Sequence, residues 1–124
     1  MGVRDALKRV KKYESNLEPN VIEKRYTRFG RSMLEQISSY FAQITEIEIK
    51  TKATLSQYDC PVSNFPSYLC YARELYRLSN RYAGLPLFRE IRLKETKWHK
   101  RGLNLEILKR IRIDIFGIIL PEEL

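Results

Sequence analysis

TEIEIKTK, residues 45–52, decides the fold. Apolar and polar residues alternate through it, the period of a half-buried strand, and a strand needs a partner. No partner strand is evident elsewhere in the chain. Meanwhile Tyr26, Phe29, Met33, Ile37, Tyr40, Ile44 and Ile47 keep a spacing of three and four that runs into the stretch. That spacing predicts one helix from residue 21 to about 57, with Gly30 and the pair Ser38–Ser39 as candidate bends. IRIDIF, residues 111–116, also alternates, and helix is again the preferred reading.

Working outward, the pattern stays helical. A first helix over 3–15 carries Val3, Leu7 and Val10 on one side and Arg4, Lys8, Lys11 and Lys12 elsewhere. It breaks at SNLEPN, where Pro19 cannot continue it. Asn20 then caps the long helix, with Glu23 completing a capping box. DCPVSNFP, residues 59–66, is a loop. Next comes a helix over 66–83 with Tyr68, Tyr71, Leu75, Leu78 and Tyr82 in one row. Another opens at Pro86 and runs to Arg101, and Asn104 caps the last, which ends near Phe116. Gly84, Gly102 and Gly117 each follow an apolar-periodic stretch, where a left-handed residue ends a helix. The chain of 124 residues has room for one core. The expected fold is all-α: a C-terminal four-helix bundle over 32–124, preceded by a basic helical arm over 1–31.

Charge is unevenly spread. The net charge is +8, yet residues 1–31 hold nine basic groups against four acidic, and residues 63–102 hold nine against three. The arm's cations are Arg4, Lys8, Arg9, Lys11, Lys12, Lys24, Arg25, Arg28 and Arg31. In KRYTRFGR, residues 24–31, helical spacing puts Lys24, Arg28 and Arg31 on one face with Arg25 beside them. Tyr26 and Phe29 fall on another face. Two basic blocks separated by neutral ones point first to nucleic acid and second to an anionic membrane surface.

Other classes find little support. No apolar run approaches the roughly 18 residues of a membrane span, and MGVRDALKRVKK has no apolar signal region. Ala6 stands where a myristoylation site needs Ser or Thr. Cys60 and Cys70 are too few for a disulfide framework, and with the single His99 a poor start for zinc. They read as buried thiols. His99 lies among cations in KWHKR and reads as packed or exposed, not as a general base. Asp5, Asp59 and Asp114 are far apart, and no phosphate loop, dinucleotide fingerprint or nucleophile elbow is present. The reading is a non-enzyme with no catalytic residue, metal or cofactor.

The order of motifs adds a resemblance. SQY at 56–58 leads to YLCYARELYRLSNRYAG at 68–84, PLF at 86–88, RGLNLEIL at 101–108 and IDIFG at 113–117. This succession resembles the major capsid proteins of rod-shaped and filamentous archaeal viruses, the rudivirus and lipothrixvirus type. It covers residues 55–117, with Leu105 where a first-turn proline would be natural.

The resemblance implies a virion protein, assembled in the host cytoplasm, whose subunits pair as homodimers or as heterodimers of paralogues. Such pairs stack helically around linear double-stranded DNA, which N-terminal helices wrap and hold in the A-form. A lipid envelope around the particle is left open. A basic arm facing inward accounts for the first basic block. Arg73, Arg77 and Arg81, four apart on one helix, either back the arm against phosphate or make ion pairs between subunits or a solvated face. Arg89, Arg92, Lys94 and Lys97 share those alternatives. A sheath for any sequence should touch phosphate and sugar, not bases. Tyr13, Tyr26 and Phe29 are expected to pack helices together, since duplex DNA offers no free base face. The apolar row Tyr26, Phe29, Met33, Ile37, Tyr40 and Ile44 is longer than one chain's bundle can cover, so a second subunit is expected on it. Two rival readings are a non-capsid helical nucleic-acid-binding protein and a helical module for an acidic partner.

Overall fold

The computed structural model of the chain describes residues 30–124, with side chains from Met33 onward. Among the described residues every regular element is helical. Helix α1 runs Gly30–Gln57, α2 Phe65–Arg81, α3 Gly84–Lys100 and α4 Leu105–Phe116. Short 3-10 turns, Val62–Asn64 and Pro121–Glu123, precede α2 and follow α4. The fold is all-α, a four-helix bundle, as the spacing predicts.

Both alternating stretches are helical. A strand would put Ile47 and Ile49 on one face; the helix separates them, burying Ile47 and leaving Ile49 65% exposed. Thr51 is fully buried and turns its hydroxyl back onto the Ile47 carbonyl at 2.7 Å, so the helix absorbs its polar group.

The compact bundle unit begins at Ile47, inside α1, and runs to Leu124. Within it α2 packs against both α3 and α4, and α3 against α4. Tyr68, Tyr71 and Leu75 from the predicted row are buried, while Leu78 and Tyr82 are half-buried and Ala72 and Tyr76 complete the inner face. The Tyr68 hydroxyl accepts the Asn104 amide at 2.9 Å and so pins the start of α4 to α2. Asn104 caps that helix as expected, accepting from the Glu106 and Ile107 amides at 2.9 and 3.2 Å.

The helix ends follow the glycines in two cases of three. Gly102 and Gly117 are left-handed, at φ 101° and 65°. Gly84 is not an end but the first residue of α3, at φ 60°. The α2 helix stops at Arg81: its last helical bond runs from the Tyr82 amide to the Leu78 carbonyl, and the chain then leaves extended through Tyr82 and Ala83. Pro86 consequently sits third in α3, still inside the first turn, where its missing N–H costs nothing. The end of α1 has no glycine. Asp59 takes the left-handed place at φ 52°, and the Cys60 amide closes onto the Leu55 carbonyl at 3.3 Å.

Candidate nucleic-acid interface

On α2 the inner face fixes the outer one. With Tyr68, Tyr71, Ala72, Leu75 and Tyr76 inward, helical spacing sends Arg73, Arg77 and Arg81 to the opposite side. Their steps of four residues repeat a cation about every 6 Å along the axis. Arg73 is half-buried and donates from Nε to its own helix, at the Leu69 carbonyl, 3.3 Å away. Arg77 is exposed. The Arg81 guanidinium lies 5.6 Å from the centre of the Tyr82 ring. Among the described residues none of the three has a carboxylate partner. Like charges four apart destabilise a helix by about 0.2–0.5 kcal/mol per pair. As a set of like charges the row does not stabilise α2, beyond the local contacts of Arg73 and Arg81.

The rest of the second basic block divides. Arg92 grips Glu122 with two bonds, Nε to Oε1 at 2.9 Å and Nη2 to Oε2 at 2.7 Å. Lys97 donates to Glu74 Oε1 at 2.8 Å, and Lys94 stands 3.9 Å from the other oxygen. These three cations are spent within the bundle. Arg89 and Lys100 are exposed and, among the described residues, make no ion pair or hydrogen bond.

Glu74 anchors more than lysines. Its Oε2 accepts the indole N–H of Trp98 at 3.2 Å, and Lys97 and Arg101 lie 4.8 and 5.0 Å from the centre of that ring. This α2–α3 junction fixes where the KWHKR cations stand. His99 is exposed, with Nδ1 3.1 Å from the Leu103 carbonyl oxygen, an acceptor only while that nitrogen carries a proton. Cys60 and Cys70 are free thiols, half-buried where the sequence suggests full burial. Both sit at the margin of the core. Cys60 falls just past the end of α1, and Cys70 faces Glu74 at 4.0 Å. Desolvation still pushes the Cys60 thiol up.

A polar cluster at α4 has no counterpart in the sequence reading. Arg112 is 1% exposed. Its Nε donates to Glu95 Oε1 at 2.6 Å, and its two terminal nitrogens take both oxygens of Glu123 at 2.6 and 2.9 Å. Nη1 also reaches the Ile118 carbonyl at 2.8 Å. The Tyr71 hydroxyl donates to the same Glu95 oxygen at 3.1 Å. Burial and the adjacent Glu95 push the Tyr71 phenol far up, so it stays protonated. Burial works against the Arg112 charge, but the bonds to Glu123 and Glu95 outweigh it and raise the group further. The signal available in sequence was Arg112 standing at a core position, four residues beyond Leu108 and next to Ile111.

On α1, Met33 is 37% and Tyr40 41% exposed, and Ile37 and Ile44 are half-buried. Tyr26 and Phe29 of the same row lie outside the described residues. So do Arg4, Lys8, Arg9, Lys11, Lys12, Lys24, Arg25 and Arg28, and the side chain of Arg31. The expected arm over 1–31, with its Asn20 cap, thus falls almost wholly outside them. Among the described residues no group of three His, Cys, Asp or Glu side chains is placed to hold a metal ion, and no helix is long and apolar enough to cross a membrane.

Comparison with known protein families, curated proteins and solved structures finds no match to this chain.

Proposed function

We propose that this chain is a structural, non-enzymatic subunit that binds the phosphate backbone of double-stranded DNA and packs with a second subunit, itself or a paralogue, into a helical nucleoprotein filament. This is the major-capsid role that its motif order implies. The observation that carries the reading is the Arg73–Arg77–Arg81 row. Three cations repeat along one face of a rigid helix, with no carboxylate among the described residues to neutralise them, while Arg92, Lys94 and Lys97 are held by Glu122 and Glu74. A purely solvated face has no need of this sorting.

The chemistry is neutralisation. Arginine presents donors in a planar fork that suits phosphate oxygens, and binding releases counterions from the duplex. A regular row suits a regular polyanion and discriminates no sequence. The basic arm would supply the larger share of contacts, with α2 backing it. Enclosure by closely packed helices would remove water from the duplex and favour the A-form.

The test is charge reversal on the full chain. Arg77→Glu with Arg81→Glu should weaken binding equally to duplexes of unrelated sequence. It should also flatten the log–log salt dependence by about two units. Unchanged affinity and slope would remove α2 from the interface. Loss confined to one sequence would contradict phosphate-only contact.

A further inference from the structure

We infer that residues 118–124 form a strap held on the bundle by two adjacent carboxylates, Glu122 on Arg92 of α3 and Glu123 on Arg112 of α4, and released when those carboxylates take up protons. The inference is independent of DNA binding. It starts from how little else holds the segment. Leu120 is its one buried apolar side chain, while Ile119 is 44% and Leu124 94% exposed. The strap's own backbone bonds converge on the same groups. The Leu120 amide donates to Glu123 Oε1 at 2.8 Å, and the Glu123 amide returns to the Leu120 carbonyl at 2.9 Å. The Ile118 amide and carbonyl both bond Arg112, through its carbonyl at 3.3 Å and its Nη1 at 2.8 Å. Without Glu123 on Arg112, the fold of the segment loses its centre.

Charged and titratable groups reach the clasp from three helices. From α4, Arg112 binds Glu123 on two prongs and Lys109 stands 3.5 Å from its Oε2. From α3, Glu95 shares Arg112, and Arg92 holds Glu122. From α2, the Tyr71 hydroxyl bonds Glu95 and stays neutral. Glu123 thus faces two cations and Glu122 faces one, while the nearby anions are Glu95, itself satisfied by Arg112 and Tyr71, and Glu123, which works weakly against its neighbour Glu122. The bond from Arg112 holds Glu123 down at about 2, and the bond from Arg92 does the same for Glu122. Both carboxyls lie below their ordinary value of 4.5. The clasp is therefore complete above that ordinary value and fades as the pH falls through about 2. The strap should hold at neutrality, weaken progressively once the pH drops below the ordinary carboxylate value, and be weakest near the lower end of that window. On opening it would expose the pocket of Leu120 and set Arg92 free.

Amide hydrogen exchange on the full chain, read by mass spectrometry and corrected for intrinsic rates, tests this. Protection over 118–124 should be flat from neutrality down to about pH 5 and then decline progressively as the pH drops below the ordinary carboxylate value. It should be lower by about tenfold or more near pH 2, while amides around Tyr71 keep theirs. Glu123→Gln should lose that protection already at neutral pH and show no further acid step. Glu122→Gln, which leaves the buried cluster intact, should loosen the strap severalfold at neutral pH without disturbing α2. Wild-type strap protection retained in both variants would overturn the inference. So would strap and α2 losing protection together at every pH, since the segment would then be part of the core and not a separate device.

Discussion

Arg112 donates from Nε to Glu95 Oε1 across 2.6 Å, joining α4 to α3 inside the bundle, with Tyr71 of α2 on the same oxygen. Two residues earlier, among the described residues, Arg110 pairs only with Glu106 and Asp114 of its own helix, at 3.4 and 3.6 Å, and stays partly in water. The same residue type on the same helix thus serves two ends. One arginine organises three helices; the other decorates a surface.

Removing Glu95 should therefore be expensive and removing Arg110 should not. Glu95→Ala strips an acceptor from both Arg112 and Tyr71, and breaking a buried pair from one side costs about 3–5 kcal/mol. Arg110→Ala removes two solvent-exposed pairs within one helix and should cost no more than about 0.5 kcal/mol. Urea unfolding midpoints at constant m-value will show the difference. Equal, small effects would mean the cluster is dispensable.

Trp98, the one tryptophan in the chain, reports on the second junction. Glu74→Ala removes the indole acceptor and the partner of Lys97, at a cost of about 1–3 kcal/mol. Water then reaches the ring, so tryptophan emission should shift to longer wavelength in the native state. An unshifted spectrum with unchanged stability would show that Glu74 does not position the ring.

Much of this architecture was legible in the sequence. The three-and-four spacing through Ile47, the tyrosine row of α2 and the Asn104 cap are local signals, each readable within a turn or two. What was not legible depends on contacts between helices. A periodicity reading scores Arg112 and Glu95 as polar and sends them outward, although Ile91 and Leu108, each four residues before, are fully buried. Only the meeting of α2, α3 and α4 makes their burial tolerable. Gly84 misled for a different reason: a left-handed glycine serves the start of α3 as readily as the end of α2, and spacing does not distinguish the two. The basic block at 63–102 likewise mixes paired and unpaired cations, and only the positions of Glu74 and Glu122 sort them.

The arm makes its own prediction. If Lys24, Arg25, Arg28 and Arg31 contact phosphate, changing two of them to Glu should weaken DNA binding alike for all sequences. The log–log salt slope should flatten by about one to two units, with the unfolding midpoint of the bundle unchanged. Fluorescence anisotropy titrations at several salt concentrations measure it. A slope equal to that of the unaltered chain would make the stripe a solvated face.

Subunit pairing should depend on α1. Met33 and Tyr40 leave apolar surface open on one helix. Met33→Glu with Tyr40→Glu places charge on that surface and should shift the chain toward monomer in sedimentation experiments, with or without DNA. If the unaltered chain is already monomeric at high concentration, alone and with its candidate paralogue, the face is not a subunit contact.

The most direct measurement is electron microscopy, with helical reconstruction, of the purified chain mixed with linear duplex DNA, alone and with a paralogous partner. A sheath built from the α2 row and the basic arm must enclose any sequence, so it should impose one DNA form and not select it by composition. The predicted result is long regular filaments whose DNA is A-form in rise and groove shape whatever its base composition, reverting when the protein is stripped away. Small discrete complexes would contradict the filament and favour a non-capsid binder. B-form DNA inside intact filaments would contradict enclosure.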